Sequence, residues 1–245
     1  RHFFNVIPRS VKRITVLDRT KEPGAPGEPL YLDVSGIFKD CEAAPFIIGG
    51  RYGLGSKDTT PAQLVAVFEN MLSKEPKNGF TIGITDDVTE HSLDVGGVIN
   101  VEPEGTTRCK FWGFGSDGTV GANKAAIKII GDNTDMYVQA YFDYDSKKSG
   151  GVTISHLRFG KLPIKSTYLL DESDYIACHK PSYIYRYDVL KGLKKGGTFL
   201  LNTSCKPEEL GKRLPPNVKR YIAENEINFY IINAAEVAER TGLGA

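Results

Sequence analysis

Phe111-Trp112-Gly113-Phe114-Gly115-Ser116-Asp117-Gly118-Thr119-Val120-Gly121-Ala122-Asn123-Lys124 is the stretch that decides the fold. An apolar and aromatic run, Lys110 to Phe114, ends in a burst of glycines, and a helical pattern (Ala122, Ala125, Ala126, Ile127, Ile129, Ile130) follows at once. That order predicts a strand, a tight turn and a helix start. Gly113, Gly115 and Gly118 fit the spacing G-x-G-x-x-G. Glycine suits such a turn because the backbone visits positive φ and a ligand can approach it closely. The first helical turn then offers unpaired N–H groups, backed by the positive end of the helix dipole. Ser116, Asp117, Thr119 and Asn123 can cap the turn or bond a ligand. The spacing is short enough to occur by chance, and its strand–turn–helix context is what raises it to a phosphate or nucleotide site. No Gly-Lys-Ser/Thr follows, so the stretch is not a triphosphate-hydrolysing P-loop.

Outward from this stretch, strand and helix patterns alternate. Towards the N-terminus, Ile14–Leu17, Phe46–Ile48 and Phe80–Ile84 read as strands. Leu30–Phe38 reads as a short helix, and a second helix opens at Thr59-Thr60-Pro61, a Thr cap with Pro in the first position. Asp86 to Gly105 reads as a connector. The loop Asp18–Pro29, rich in Pro and Gly, serves either a site or a solvated surface. Gly49-Gly50-Arg51-Tyr52-Gly53-Leu54-Gly55-Ser56-Lys57-Asp58 carries two cations, but a structural turn is the simpler reading. Towards the C-terminus, Met136–Phe142, Val152–Phe159, Asp174–Cys178, Thr198–Asn202 and Asn228–Ile232 read as strands. Tyr187–Leu193, a segment through Glu208–Leu210 stopped by Pro215-Pro216, and Ala234–Arg240 read as helices. The expected fold class is α/β, with two Rossmann-like units built on mainly parallel sheets.

The strand ending at Phe142 runs into Asp143-Tyr144-Asp145-Ser146-Lys147-Lys148-Ser149-Gly150-Gly151. In a dinucleotide fold this position meets the ribose. Asp143 and Asp145 would favour a free ribose hydroxyl. Lys147 and Lys148, with glycine N–H groups beside them, suit a phosphorylated ribose or a diphosphate better. NADP and coenzyme A both carry a ribose phosphate. A charged hairpin tip with no ligand is the plain alternative.

Composition narrows the class. The 245 residues suggest one or two domains, and 31 basic against 30 acidic residues give no global charge for nucleic acid. No apolar run is long enough to span a membrane. Cys41, Cys109, Cys178 and Cys205 form no C-x-x-C and no metal-spaced cluster with His. Reduced thiols in a cytosolic protein are the simpler reading. Cys178 and His179 are neighbours on a predicted strand, so their side chains point to opposite faces and make a poor nucleophile–base pair. His91 reads as a surface residue. The start, Arg1-His2-Phe3-Phe4-Asn5, and the end, Thr241-Gly242-Leu243-Gly244-Ala245, read as cut points in a longer chain.

The assembled motifs resemble the middle of the pyruvate:ferredoxin (or flavodoxin) oxidoreductase family. They are Val16-Leu17-Asp18-Arg19-Thr20-Lys21-Glu22-Pro23-Gly24, Gly49 to Lys57, Phe80 to Asp87, Gly113 to Lys124, Tyr144 to Gly151, and Ser155-His156-Leu157-Arg158-Phe159-Gly160. The resemblance covers nearly the whole chain. It implies that residues 1–104 are the end of a transketolase C-terminal-like domain. Residues 105–245 would be a gamma (swivel) domain associated with coenzyme A and cut short at its C-terminus. It implies a cytoplasmic homodimer, or a hydrogenosomal one in an anaerobic eukaryote. The full chain would oxidatively decarboxylate pyruvate to acetyl-CoA and pass electrons to ferredoxin or flavodoxin. Thiamine diphosphate, magnesium and 4Fe–4S clusters would be held by other parts of that chain, and this stretch alone would be inactive.

Within that frame the expected coenzyme A site is Gly115, Ser116, Asp117, Gly118, Thr119, Val120, Asn123, Lys124, Lys147, Lys148 and Ser149. Backbone N–H groups of the loop would take the diphosphate. The lysines would neutralise it, and Ser116, Thr119 and Ser149 would add hydroxyls. No catalytic residue and no metal ligand is expected here. Two other readings stand beside this one. The same loop and lysines would serve NADP in an oxidoreductase, or the glycines are turns in a non-catalytic scaffold or dimer interface.

Overall fold

The computed structural model describes residues 2–86, 88–145 and 150–243. The chain divides into a first unit, Arg1–Val101, and a second, Glu102–Ala245.

The first unit begins with a short helix, α1 (His2–Val6), followed by β1 (Arg13–Asp18), α2 (Pro29–Ile37), β2 (Phe46–Arg51), α3 (Pro61–Leu72) and β3 (Phe80–Thr81). Its sheet is all parallel in the order β1-β2-β3. Thr60 caps α3 in a capping box with Gln63, and Pro61 occupies the first turn. Val16, Val34 and Phe38 form one buried cluster, and Ile48, Val67, Met71, Phe80 and Ile82 another. The strand expected over Phe80–Ile84 is shorter, because Gly83 turns away at φ 84°.

The glycine pair at the end of β2 has a packing cause. A Cβ on Gly49 would meet the Tyr31 ring at 2.9 Å, and one on Gly50 the Phe80 ring at 2.2 Å. Arg51 is also committed within the fold. Its Nε donates to Glu28 Oε1 at 2.5 Å and its Nη1 to the Gly79 carbonyl at 2.7 Å.

The second unit contains β4 (Thr107–Phe114), α4 (Thr119–Asn133), β5 (Tyr137–Tyr144), β6 (Val152–Gly160), β7 (Ser173–Cys178), β8 (Leu193–Asn202), α5 (Pro207–Arg213), α6 (Pro216–Glu224), β9 (Asn228–Ile232) and α7 (Ala234–Arg240). The α/β class holds, but this sheet is mixed. Its order is β5-β6-β4-β7-β8-β9, and β6 lies antiparallel to both β4 and β5. Strands β4, β7, β8 and β9 are mutually parallel. In a Rossmann unit β5 would neighbour β4 directly. Here β6 sits between them, joined to β5 as a hairpin. Both β4 and β5 still end at the same edge of the sheet, so the glycine turn meets Gly151, just before β6.

Two helix assignments change. Residues expected to be helical over Tyr187–Leu193 form turns, preceded by a 3-10 helix at Pro181–Tyr185, and β8 already begins at Leu193. Pro215-Pro216 does end one helix, but Pro216 also occupies the first turn of another, α6. The main core of this unit gathers Ile176, Cys178, Leu190, Leu193, Phe199 and Leu201 on one sheet face. On the opposite face α4 packs Ile127 onto Cys109 and Leu157.

A polar layer lies inside the second unit. Arg158 is 0% exposed. Its guanidinium pairs with the buried Glu102 carboxylate, donates to Gln139 Oε1 at 3.0 Å and lies over the Tyr168 ring. Arg108 holds Glu172 at 3.1 Å and Asp174 at 3.2 Å. Among the described residues no helix is long and apolar enough to cross a membrane.

Candidate functional site

The loop between β4 and α4 is held by its own side chains. Asp117 accepts the Phe114 N–H at 2.7 Å on one carboxylate oxygen and the Thr119 N–H at 2.8 Å on the other. Gly118 stands at φ 84° and Ser116 at φ 73°. Gly118 supplies a conformation that a side chain would strain, and Ser116 tolerates it at some cost. Gly113 has a different purpose. A Cβ there would lie 2.6 Å from Thr119, so its absence lets the first turn of α4 settle onto β4.

The loop and the β5–β6 hairpin form one cleft of about 410 Å³. Gly115, Ser116, Asp117, Gly118, Val120 and Gly121 line one wall, and Tyr144, Asp145, Gly150, Gly151 and Thr153 the other. The walls are tied by a hydrogen bond from the Gly115 N–H to the Gly151 carbonyl at 2.8 Å. Among the described residues, no acceptor pairs with the N–H groups of Val120 and Gly121 in the first turn of α4.

The expected site residues divide into three groups. Gly115, Ser116, Asp117, Gly118 and Val120 line the cleft. Thr119 and Asn123 are both 4% exposed and lie outside its lining. Thr119 Oγ1 is instead 2.8 Å from His179 Nδ1. Lys124 lies over the Phe142 ring, its Nζ 5.3 Å from the centroid. Lys147, Lys148 and Ser149 lie outside the described residues.

Asp117 and Asp145 are the charged side chains lining the described part of the cleft. A diphosphate there therefore needs cations from nearby. Lys180 was not among the expected residues. Its Nζ lies 4.8 Å from the centroid of Phe114, which lines the cleft. Thr153, on β6, was missed as well. Its signal was a polar residue inside the alternation Val152-Thr153-Ile154-Ser155, on a strand face that a helix covers.

Cys178 and His179 do point apart. Cys178 is fully buried in the main core, its thiol pushed up to about 12 by burial. His179 faces the start of α4, and burial lowers its pKa despite the nearby Asp117 carboxylate. Among the described residues no group of three or more His, Cys, Asp or Glu side chains is placed to hold a metal ion.

A profile of the family described as pyruvate ferredoxin/flavodoxin oxidoreductase matches residues 108–245. The chain is 59% identical over 244 residues to pyruvate:ferredoxin oxidoreductase of Moorella thermoacetica, covering 100% of this chain and 21% of that protein. It is 59% identical over 245 residues to pyruvate-flavodoxin oxidoreductase of Enterobacter agglomerans, again covering 100% and 21%. It thus spans about a fifth of the length of the curated relatives it matches. Among solved structures, a pyruvate oxidoreductase subunit from Thermotoga maritima aligns at 16% identity with a TM-score of 0.42, covering 56% of this chain and 67% of that one.

Proposed function

This chain belongs to the pyruvate ferredoxin/flavodoxin oxidoreductase family, and from there we propose that its second unit holds the nucleotide end of coenzyme A. The observation that carries the reading is the cleft between the α4 N-terminus and the β5–β6 hairpin. It sets the N–H groups of Val120 and Gly121, which have no acceptor among the described residues, across from Asp145, Gly150 and Gly151. Lys147 and Lys148 are assigned to it from the sequence.

The N–H groups of Val120 and Gly121 donate to phosphate oxygens, with the helix dipole behind them. Ser116 adds a hydroxyl from the loop. Asp117 shapes the turn and does not bind the anion, because both its oxygens already accept N–H groups. Lys147 and Lys148 supply the positive charge that offsets Asp117 and Asp145. Thr119, Asn123 and Lys124 act from behind the wall, by seating α4 on the sheet.

The protein as a whole, on this reading, oxidatively decarboxylates pyruvate. Pyruvate and coenzyme A give acetyl-CoA and carbon dioxide, and the electron pair released passes to ferredoxin or flavodoxin. Thiamine diphosphate, when bound, supplies the carbanion chemistry, and 4Fe–4S clusters carry the electrons. Residues outside this chain hold those groups and the magnesium. The first unit is then the end of a transketolase C-terminal-like domain and the second a gamma domain, in a homodimer. What this chain contributes is proximity. Anchoring the nucleotide leaves the pantetheine arm free to present its thiol, so a bimolecular attack becomes effectively intramolecular.

The test is kinetic. Replacing Lys147 and Lys148 together by Ala in the intact protein raises the KM for coenzyme A and leaves that for pyruvate unchanged. An unchanged KM for coenzyme A rejects the assignment.

A further inference from the structure

Thr153 is 7% exposed, yet it lines the cleft, and its Oγ1 has no hydrogen-bond partner among the described residues. Its position follows from register. On β6 it lies opposite Gly113 of β4 and Tyr144 of β5. Side chains alternate along a strand, so Thr153, Ser155 and Leu157 share the face that Leu157 packs against Ile127 of α4. Gly113 has no side chain, and Thr119, the first residue of α4, fills that space. The Thr153 hydroxyl therefore sits beside the first turn of α4, on the floor of the cleft.

A buried hydroxyl without a partner is destabilising, and valine fills the same volume without that penalty. A threonine here is costly unless something in the cleft takes its hydrogen bond. Asn123 Nδ2 and Ser155 Oγ are also buried without partners in the described structure, but neither residue lines the cleft.

We propose that Thr153 is a binding residue that donates its hydroxyl to a phosphate oxygen of the bound diphosphate, opposite the N–H groups of Val120 and Gly121. The donors then converge on one oxyanion from the helix and from the sheet. A hydroxyl is the fitting group, because it donates a hydrogen bond to an anion without carrying a charge of its own. This inference rests on the coenzyme A reading above.

The experiment measures equilibrium binding of coenzyme A, ADP and pantetheine to the intact protein, with wild type compared with Thr153→Val, Thr153→Ser and Ser155→Ala. Thr153→Val weakens coenzyme A and ADP about tenfold or more, the scale of a lost hydrogen bond to a charged group. Thr153→Ser keeps wild-type affinity. Ser155→Ala, which removes an equally buried hydroxyl outside the cleft, also binds as wild type. An unchanged thermal midpoint in Thr153→Val separates lost binding from lost folding. Wild-type affinity for coenzyme A and ADP in Thr153→Val overturns the role of Thr153 and leaves the coenzyme A reading standing. A loss on pantetheine alone overturns the placement at the diphosphate. A wild-type protein that binds neither coenzyme A nor ADP overturns both.

Discussion

Gly115 donates its backbone N–H to the carbonyl of Gly151 at 2.8 Å, and this bond joins two motifs that lie far apart in the sequence. The glycine turn after β4 and the hairpin between β5 and β6 become the two walls of one cleft. The site depends on this closure, and the closure depends on bare backbone. A Cβ on Gly115 would already lie 3.3 Å from the Gly151 oxygen.

Gly113→Ala should destabilise the second unit by about 1–3 kcal/mol, the usual cost of overpacking. The added methyl would enter the space that Thr119 occupies, 2.6 Å away. Urea unfolding measures the loss. A variant as stable as wild type would mean that α4 does not need to sit so close to β4.

The buried pair of Glu102 and Arg158 gives an asymmetric prediction. Glu102→Leu leaves the fully buried Arg158 without its carboxylate and should cost about 3–5 kcal/mol. Adding Arg158→Met should recover most of that loss, since a packed apolar pair replaces a desolvated ionic one. Arg108 keeps Asp174 and Glu172 in both variants. Unfolding midpoints of the single and double variants decide it. A double variant weaker than Glu102→Leu alone contradicts this account.

His156 predicts the shape of the acid limb. Burial, then Lys110 and Arg158, push its pKa from 6.5 down to about 3. Its Nδ1 accepts the Leu170 N–H at 3.1 Å. The unfolded chain takes up a proton near 6.5, and the folded one does so only near 3. Stability therefore falls as pH drops through that window, by up to about 1.4 kcal/mol per pH unit from this group. His156→Gln removes the group and should flatten the dependence. Equal slopes in the variant and wild type would show that His156 is not held neutral.

Cys178 should resist alkylation in the native protein. It is fully buried, its thiol is pushed up to about 12, and its Sγ donates to the Lys180 carbonyl at 3.2 Å. Iodoacetamide followed by peptide mapping should modify it only after unfolding, while the half-exposed Cys41 and Cys205 react in the folded state.

Much of this arrangement is legible in the chain because local signals agree with the fold. The run into Phe114, the glycines and the apolar helix face predict β4, the turn and α4. Thr60-Pro61 predicts the start of α3 and its cap. The insertion of β6 is harder to read, since alternation over Val152–Phe159 marks a strand without naming its neighbours. The short polar connection 145–151, ending in Gly150-Gly151, was the available hint of a hairpin. Pro216 misleads because proline both stops one helix and opens the next. Val189, Leu190 and Leu193 share apolar spacing with a helix, yet Val189 and Leu190 are buried in a turn and Leu193 opens β8. Gly192 forces that turn at φ 80°, against the Asp171 carbonyl. In the site, the cleft-lining part of the loop is legible because the glycine pattern is local. Thr153 and Lys180 are not, because sheet pairing alone brings them to the loop.

The most direct test of the coenzyme A assignment is calorimetric titration of the intact protein with coenzyme A, with 3′-dephospho-coenzyme A and NADP as comparisons. The account predicts binding of coenzyme A that weakens without the 3′-phosphate and on raising salt, because paired charges screened by ions hold it. Absence of coenzyme A binding, or preferential binding of NADP, would contradict it.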